Sequence, residues 1–373
     1  MPFNLPFERL FGGNPLIAPT DRWWESGVTF NSAAVYLPAT EENSSTIRTL
    51  LGDISADRYP GGIVALHYRA RPALDPGHPW TRSFIGLSLH EPDLTPIHRF
   101  SEPIINPGLT GDADHHGVED PRITWLDNAW WMVYCGVMPI KHLDPLQAWR
   151  GSVCTARSDD LLTWLKKGAA SGTGLGFGDR LDASSVSNKD GVLFPDRIDG
   201  KVALLHRPMI GETGSWGTQI AFADEPEGPF TDLGVVHYAK PAEEYIRSWC
   251  GAGSVPIKIG EKRYLSIEHT GNYLKGFQSK YLLDAFLYDF NAWDPEHPES
   301  LVTARMDDIM RPETEFEVRG HFKDSVANVV FTCGSYIHDG WLYLVYGGGD
   351  SFILAARIRL DTLVGELEAR VGQ

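Results

Sequence analysis

The densest chemistry in the sequence is the run GDADHHGVEDPRITW, Gly111 to Trp125. It brings together Asp112, Asp114, His115, His116, Glu119, Asp120 and Arg122. A carboxylate beside an arginine is held ionised or oriented, whereas a buried one can take a raised pKa and act as a general acid. Pro121 fixes its own φ and has no N–H, so it pins the Glu119-Asp120 pair at a strand entrance. On residue types alone, a surface loop with a salt bridge explains the run equally well. His115 and His116 have ligand chemistry, but neighbours on a strand point to opposite faces, and no metal site is expected. No cofactor is implied.

Further polar groups recur at comparable places along the chain. Asn31 and Ser32 precede one apolar strand and Arg69 closes it. Lys189 and Asp190 precede another, which His206 and Arg207 close. Glu268 and His269 close a third, and Asp350 follows a triple glycine near the C-terminus. Taken singly, each reads as an edge salt bridge or a capped turn. Their recurrence suggests a ring of donors and acceptors around one cavity, which suits a polyhydroxylated ligand. Among the aromatics, Trp23, Trp24, Trp130, Trp216 and Trp249 are candidates for stacking on sugar faces, though most tryptophans belong to cores.

The elements that must position these groups repeat. GIVALHYR from Gly62, NAWWMVYCG from Asn128, GKVALLHR from Gly200, GEKRYLSIEH from Gly260 and GWLYLVYG from Gly340 share one pattern, a turn residue followed by an apolar strand. Each is preceded by a strand-like run (NSAAVYLP, PRITWL, GVLFPDRI, SVPIKI, NVVFTCGSYI) and followed by another (SFIGLSLH, GSVCTARS, TQIAFAD, YLLDAFLYDF, SFILAARIRL). Helical periodicity is nearly absent outside the C-terminal RLDTLVGELEARV, which reads as a strand followed by a short helix. Five such units predict an all-β fold, a five-bladed β-propeller over residues 21–373, behind an N-terminal arm, Met1 to Thr20. An elongated β-sandwich is the alternative. In a propeller the polar strand ends converge on a central funnel.

Composition narrows the function. With 33 Lys+Arg against 49 Asp+Glu in 373 residues, the chain has a formal charge of −16. Phosphate backbones and anionic membrane surfaces repel such a protein, so neither nucleic acid nor membrane is an expected partner. No apolar stretch is long enough to span a bilayer, and the N-terminus has no secretory pattern. Cys135, Cys154, Cys250 and Cys333 lie far apart and read as buried thiols of a cytoplasmic protein.

With these residues in place, the sequence resembles glycoside hydrolase family 130, the β-mannoside phosphorylases and β-1,2-mannosidases. The resemblance is carried by TFNSAAV from Thr29, HYRA from His67, GVEDPRIT from Gly117, NKDGVLFPDRIDGKVALLHRP from Asn188, GAGSVPIK from Gly251, VANVVFTCG from Val326 and YGGGDS from Tyr346, in the family's order. It implies a five-bladed propeller acting on a β-linked manno-oligosaccharide. It also implies Asp120 as the sole catalytic acid, donating through the 3-hydroxyl of the bound mannosyl unit with inversion. Asn31, Ser32, Arg69, Glu119, Arg122, Asp190, His269 and Asp350 are the expected substrate contacts. Lys189, His206 and Arg207 are expected at the site of the nucleophile, where a phosphorylase needs cations to hold inorganic phosphate.

The sequence departs from the family pattern at that site. Trp249, in SWCGAG, stands where the family's lysine precedes the Gly-Ala-Gly turn, and a tyrosine before the next strand is lost, with Ser279 or Lys280 in its region. Glu268 stands where the family shows tyrosine before His-Gly. Loss of a cation and gain of a carboxylate point to water as nucleophile. The expectation is therefore an inverting exo-acting β-mannosidase with Glu268 as base and Glu243 or Glu244 in reserve. The alternatives are a β-mannoside phosphorylase releasing α-mannose 1-phosphate, a glycosidase of other specificity, and a non-catalytic sugar-binding propeller. Linkage and aglycone are set by loops such as Pro139 to Arg150 and Trp293 to Pro312, and a homo-oligomer remains open.

Overall fold

In the computed structural model, residues 5–76, 81–139, 149–174, 176–177, 186–209, 216–240, 245–274, 279–322 and 325–372 are described. Glu243 and Glu244 fall outside them. The strands form five separate antiparallel-based sheets in chain order, the blades of a propeller. Blade I comprises Val28–Leu37, Ile63–Arg71, Phe84–His90 and Pro96–Arg99, and blade II comprises Gly117–Leu126, Ala129–Pro139, Trp149–Ser158 and Leu165–Ala169. Blade III runs from Ser187–Leu193 through Val202–Met209 and Thr218–Ala223 to Phe230–His237, with Gly172–Thr173 added at its edge. Blade IV comprises Tyr245–Ala252, Arg263–Leu274, Ser279–Asp289 and Val302–Met310, and blade V comprises Val330–His338, Trp341–Gly348 and Phe352–Arg359.

Sequence chemistry explains the hairpins. Asp127-Asn128, Asp199-Gly200 and Asp339-Gly340 each place two consecutive residues at positive φ, the conformation that a two-residue hairpin matched to strand twist requires. These turns join the first and second strands at one end of the ring. The polar sequence elements sit at the other end, where first strands begin and second strands finish. Blade IV differs in detail from the sequence expectation. SVPIKI supplies only the short strand Ile257–Gly260, which continues along Arg263–Leu274 after an interruption, while the inner strand proper is Tyr245–Ala252. The C-terminal strand-then-helix is present, with helix Leu360–Glu368 burying Leu363 and Leu367 against blades IV and V.

The blades pack through apolar faces, and the largest core cluster joins Ile63, Ile85 and Leu87 of blade I to Val118, Met132 and Tyr134 of blade II. The N-terminal arm is part of this ring. Glu8–Arg9 pairs with Arg357 and Ala356 as the outermost strand of blade V, and Ile17 bridges Ile353. Arg9 is further tied to Glu317 at 2.8 Å and to the carbonyl of Arg311 at 2.7 Å. All four cysteines are free and buried. Among the described residues no helix is long and apolar enough to cross a membrane.

Candidate active site

Three consecutive blades use the same backbone device. Asn31, Asp120 and Asp190 each occupy the left-handed region, with φ of 48°, 52° and 55°. Each sits where the pairing of the innermost strand with the second strand shifts register. Asn and Asp tolerate this conformation better than other non-glycine residues. A bulge bends the strand and re-aims the side chain out of the strict in-out alternation. Asn31 and Asp120 thereby meet between blades, the Asn31 Nδ2 donating to Asp120 Oδ1 at 2.8 Å.

Around Asp120 the expected residues assemble into one network. Arg69 Nη1 donates to the same Oδ1 at 2.9 Å, while Arg69 Nη2 donates to Glu119 Oε1. The Arg69 Nε donates to Ser83 Oγ at 3.0 Å, and the guanidinium lies 4.4 Å from the Phe30 ring. Lys189 Nζ donates to the other oxygen of Glu119 at 3.2 Å and sits 4.7 Å from the ring of Trp149. Ser83 and Trp149 are members that sequence reasoning missed.

Burial alone would raise the pKa of Asp120, but Arg69, Lys189, Arg122 and the Asn31 hydrogen bond together hold it below the usual carboxylate range. Asp350, in the loop after the second strand of blade V, behaves oppositely. Burial, helped by the charge of Asp120, pushes its carboxyl up to about 6 against the pull of Arg69, Arg71 and Lys189. Two carboxyls whose surroundings drive their pKa values apart are the arrangement in which one site offers both a charged and a protonatable group.

A second cluster adjoins the first. Asp190 Oδ2 stands 2.8 Å from Arg207 Nε and 3.4 Å from His269 Nε2. Its Oδ1 lies 3.5 Å from Arg122 Nη2. Burial would raise Asp190, but Arg207, His269 and Arg122 hold it far below the ordinary range. Lys189 and Arg207 are directly paired across the strands of blade III, so the two clusters share a wall.

Four expected site residues have other work. Arg122, 1% exposed, gives Nε to the carbonyl of Gly253 at 2.8 Å, Nη2 to Ala252 at 2.8 Å and Nη1 to the carbonyl of Asp120 at 3.1 Å. It braces blade II against blade IV. Ser32 Oγ donates to the carbonyls of Ala33 and His67 inside blade I. His206 is fully buried between Asn188 and Asp232, on the face opposite Arg207.

Glu268, the expected base, is 0% exposed. It accepts from Thr218 Oγ1 at 2.8 Å, from Ser266 Oγ at 3.1 Å and from the Tyr288 hydroxyl, and faces His237 Nε2 at 3.0 Å. Burial would raise its pKa, but His237 and these hydrogen bonds lower it. The imidazole, which burial alone would depress, is pushed up to about 10 by the Glu268 charge and Cys250. This is an internal ion pair joining blades III and IV. The signal was available in the sequence: adjacent strand residues face opposite ways, so Glu268 and His269 do not both face Asp190.

In the region where the resemblance implies a lost tyrosine, next to Ser279 and Lys280, the chain has Tyr281. Its ring lies 5.6 Å from Trp249, 6.1 Å from His269 and 6.3 Å from Phe331. Burial raises its hydroxyl pKa, and Arg207, Lys189, Asp190 and Asp350 all act on it electrostatically. Of the candidate platforms, Trp24 is core, Trp216 and Trp249 are buried beside blade IV, and Trp23 is 54% exposed, edge-on to Phe84.

Comparison with known proteins adds kinship to this geometry. A family model described as beta-1,4-mannooligosaccharide phosphorylase, of glycoside hydrolase family 130, matches residues 83–368. A 1,2-beta-oligomannan phosphorylase of Thermoanaerobacter sp. strain X514 is 26% identical over 363 residues, covering 96% of this chain and 99% of that protein. Among solved structures, a beta-1,2-mannobiose phosphorylase from Listeria innocua superposes with a TM-score of 0.68 at 19% identity, over 98% of this chain and all of its own. Another, described as showing that the family of mannoside phosphorylases contains hydrolases of beta-1,2 mannosidic linkages in Candida mannan, superposes with a TM-score of 0.67 at 19% identity, covering 96% of this chain and 94% of its own. The match over most of the length places the chain in glycoside hydrolase family 130.

Proposed function

We propose that the chain is a β-mannoside phosphorylase, cleaving a β-linked manno-oligosaccharide with inorganic phosphate and releasing α-mannose 1-phosphate. Phosphate oxygen attacks C1 from the face opposite the glycosidic bond. That bond breaks, and the leaving oxygen takes a proton from the sugar 3-hydroxyl, which Asp120 replenishes. Asp120 is charged in the free protein, so the proton must arrive with the reactants. Monobasic phosphate brings one, and Asp350 is a nearby carboxyl able to hold one. Asn31 and Arg69 orient the Asp120 carboxylate, and Arg69, Glu119 and His269 line the path of the sugar hydroxyls.

The observation that carries the choice of nucleophile is the closure of Glu268. A base for water needs a free lone pair at the reacting centre, and the Glu268 oxygens are occupied by Thr218, Ser266, Tyr288 and His237. Lys189 acts on Asp120, and Arg207, paired with Lys189 across blade III, stands against Asp190; two such cations are what an anionic nucleophile requires. The phosphorylase names of the relatives support the same reading. This reverses the hydrolase expectation drawn from the sequence. Hydrolysis is the second reading, favoured by Trp249 at the position where the resemblance implies lysine.

Incubation with β-1,2- and β-1,4-linked manno-oligosaccharides, with and without phosphate, separates the two. Mannose 1-phosphate formed only with phosphate is expected. Free mannose at a rate indifferent to phosphate would establish the hydrolase.

A further inference from the structure

We propose that Arg247 is an anion-binding residue of the active centre, gripping phosphate together with Arg207, both guanidinium groups lying against the Trp216 indole. This rests on the phosphorolytic reading above. The argument starts from the pleat of blade IV. Arg247 is paired with Tyr273, Trp249 with Gly271, Gly251 with His269, and Gly271 in turn with Tyr281. Directly paired residues share a face of the sheet. Arg247, Trp249, His269 and Tyr281 therefore lie on one face, the face by which His269 reaches Asp190. Ser248, Cys250 and Glu268 lie on the other, with the internal ion pair.

On this shared face the aromatic rings build a seat for a guanidinium. The Arg247 Cζ is 4.6 Å from the Trp216 ring, 5.3 Å from Trp249 and 5.3 Å from Tyr273. The Arg207 Cζ is 5.9 Å from the same Trp216 ring. Trp249 is seated in turn by Gly271, where a Cβ would come within 2.3 Å of the indole. The arrangement is thus specified by a glycine, which admits Trp249, and by two tryptophans, which orient Arg247. A guanidinium stacked on a ring keeps its N–H edge directed outward for bidentate contact with an oxyanion, which an ammonium does not do. Arg207 is buried, and its Nη1 has no hydrogen-bond partner among the described residues, although its Nε faces Asp190. That is a donor already desolvated and unspent. The replacement of a lysine by Trp249 therefore does not remove the cation from this wall. It moves the cation two residues along the strand and changes its type.

The test is steady-state kinetics on the full chain with phosphate and mannoside varied separately, for the native protein, Arg247→Met and Arg247→Lys. Methionine keeps apolar bulk between the rings and so protects the fold. Arg247→Met should raise the KM for phosphate about tenfold or more and leave the KM for mannoside within about twofold, with Arg247→Lys between the two. A phosphate KM within about twofold of native in Arg247→Met overturns the assignment while leaving phosphorolysis intact. If the native protein yields only free mannose, phosphorolysis fails instead. The clamp is then judged by titrating inorganic phosphate against the melting temperature. A rise in the native protein that Arg247→Met abolishes sustains it, and an equal rise or none overturns it.

Discussion

Asp120 and Glu268 are both buried carboxylates, and their partners assign them different consequences on mutation. Asp120 faces Arg69 and Asn31 at the converging strand ends, and Asp120→Asn keeps an acceptor for both donors. Its expected effect is a fall in kcat of about 10²–10⁴-fold, the range for a lost acid, with a modest drop in melting temperature, since Arg69 loses one counter-ion but keeps Glu119. Activity near native in that variant would remove Asp120 from the mechanism. Glu268→Gln should do the reverse. The melting temperature should drop, because His237 loses its counter-ion, while kcat of the folded fraction stays within several-fold of native. The pH dependence has a definite sign. The folded pKa of His237 is raised from 6.5 to about 10. Its contribution to stability is therefore fully present below about 6.5 and is lost as pH rises through about 10, a loss that Glu268→Gln should flatten in thermal melts. Asp350, raised to about 6, titrates on the acid side. A raised folded pKa makes its stabilising contribution complete below the unfolded value of 3.8 and lost as pH rises through about 6, and Asp350→Asn should remove that slope.

At the scale of elements, the site depends on bulges more than on loops. Asn31, Asp120 and Asp190 reach their places because three inner strands break register at the same height. The sequence carries this signal as Asn-Ser, Asp-Pro and Asp-Gly near the strand starts; recurrence located Asn31, Arg69 and Lys189, and the density of polar groups located Glu119 and Asp120. Alternation says that only one of two neighbouring strand residues faces the site, but with both faces buried in a propeller the hydrophobic pattern does not say which one. Ser32, His206 and Glu268 were drawn toward the site for that reason. Arg122 was drawn there by its place in the motif, and its actual role is visible only when blade IV is set opposite blade II. With its donors committed to Gly253, Ala252 and Asp120 carbonyls and its charge beside Asp190, Arg122→Met should cost about 3 kcal/mol, the scale for breaking a buried pair from one side. Denaturant melts measure it. A cost below about 1 kcal/mol would mean that the brace is incidental.

At the scale of the whole molecule, five units of similar pattern made the propeller legible, since each needs a neighbour to bury its faces. What the repeats did not reveal is how the ring closes. In the sequence, Met1 to Thr20 stands as an arm outside the five repeats, yet Glu8–Arg9 completes blade V from its outer edge. Leu5 and Phe7 pack against the core of blades IV and V, and Leu10, Leu16 and the buried Ile17 against that of blades V and I. The hold is also polar: Arg9 to Glu317, Glu313 and the Arg311 carbonyl, and Arg357 to Glu8 at 2.9 Å. Behind it Tyr346 donates to Glu317 at 2.7 Å, and Glu317 is fully buried. Arg9 is therefore the counter-ion of a buried carboxylate, and removing it strands that charge in blade V. Deletion of residues 1–13 should lower stability by about 3 kcal/mol or more through Glu317 alone. Arg9→Met should reproduce most of the loss, and adding Glu317→Gln to Arg9→Met should recover part of it, because an uncharged side chain no longer needs the guanidinium. Melting temperatures of the native, truncated, single and double variants measure the coupling. If truncation leaves the melting temperature unchanged, the ring is closed by its apolar faces alone and the arm is dispensable to the fold. If the double variant is no better than Arg9→Met, the buried charge is not what the arm neutralises.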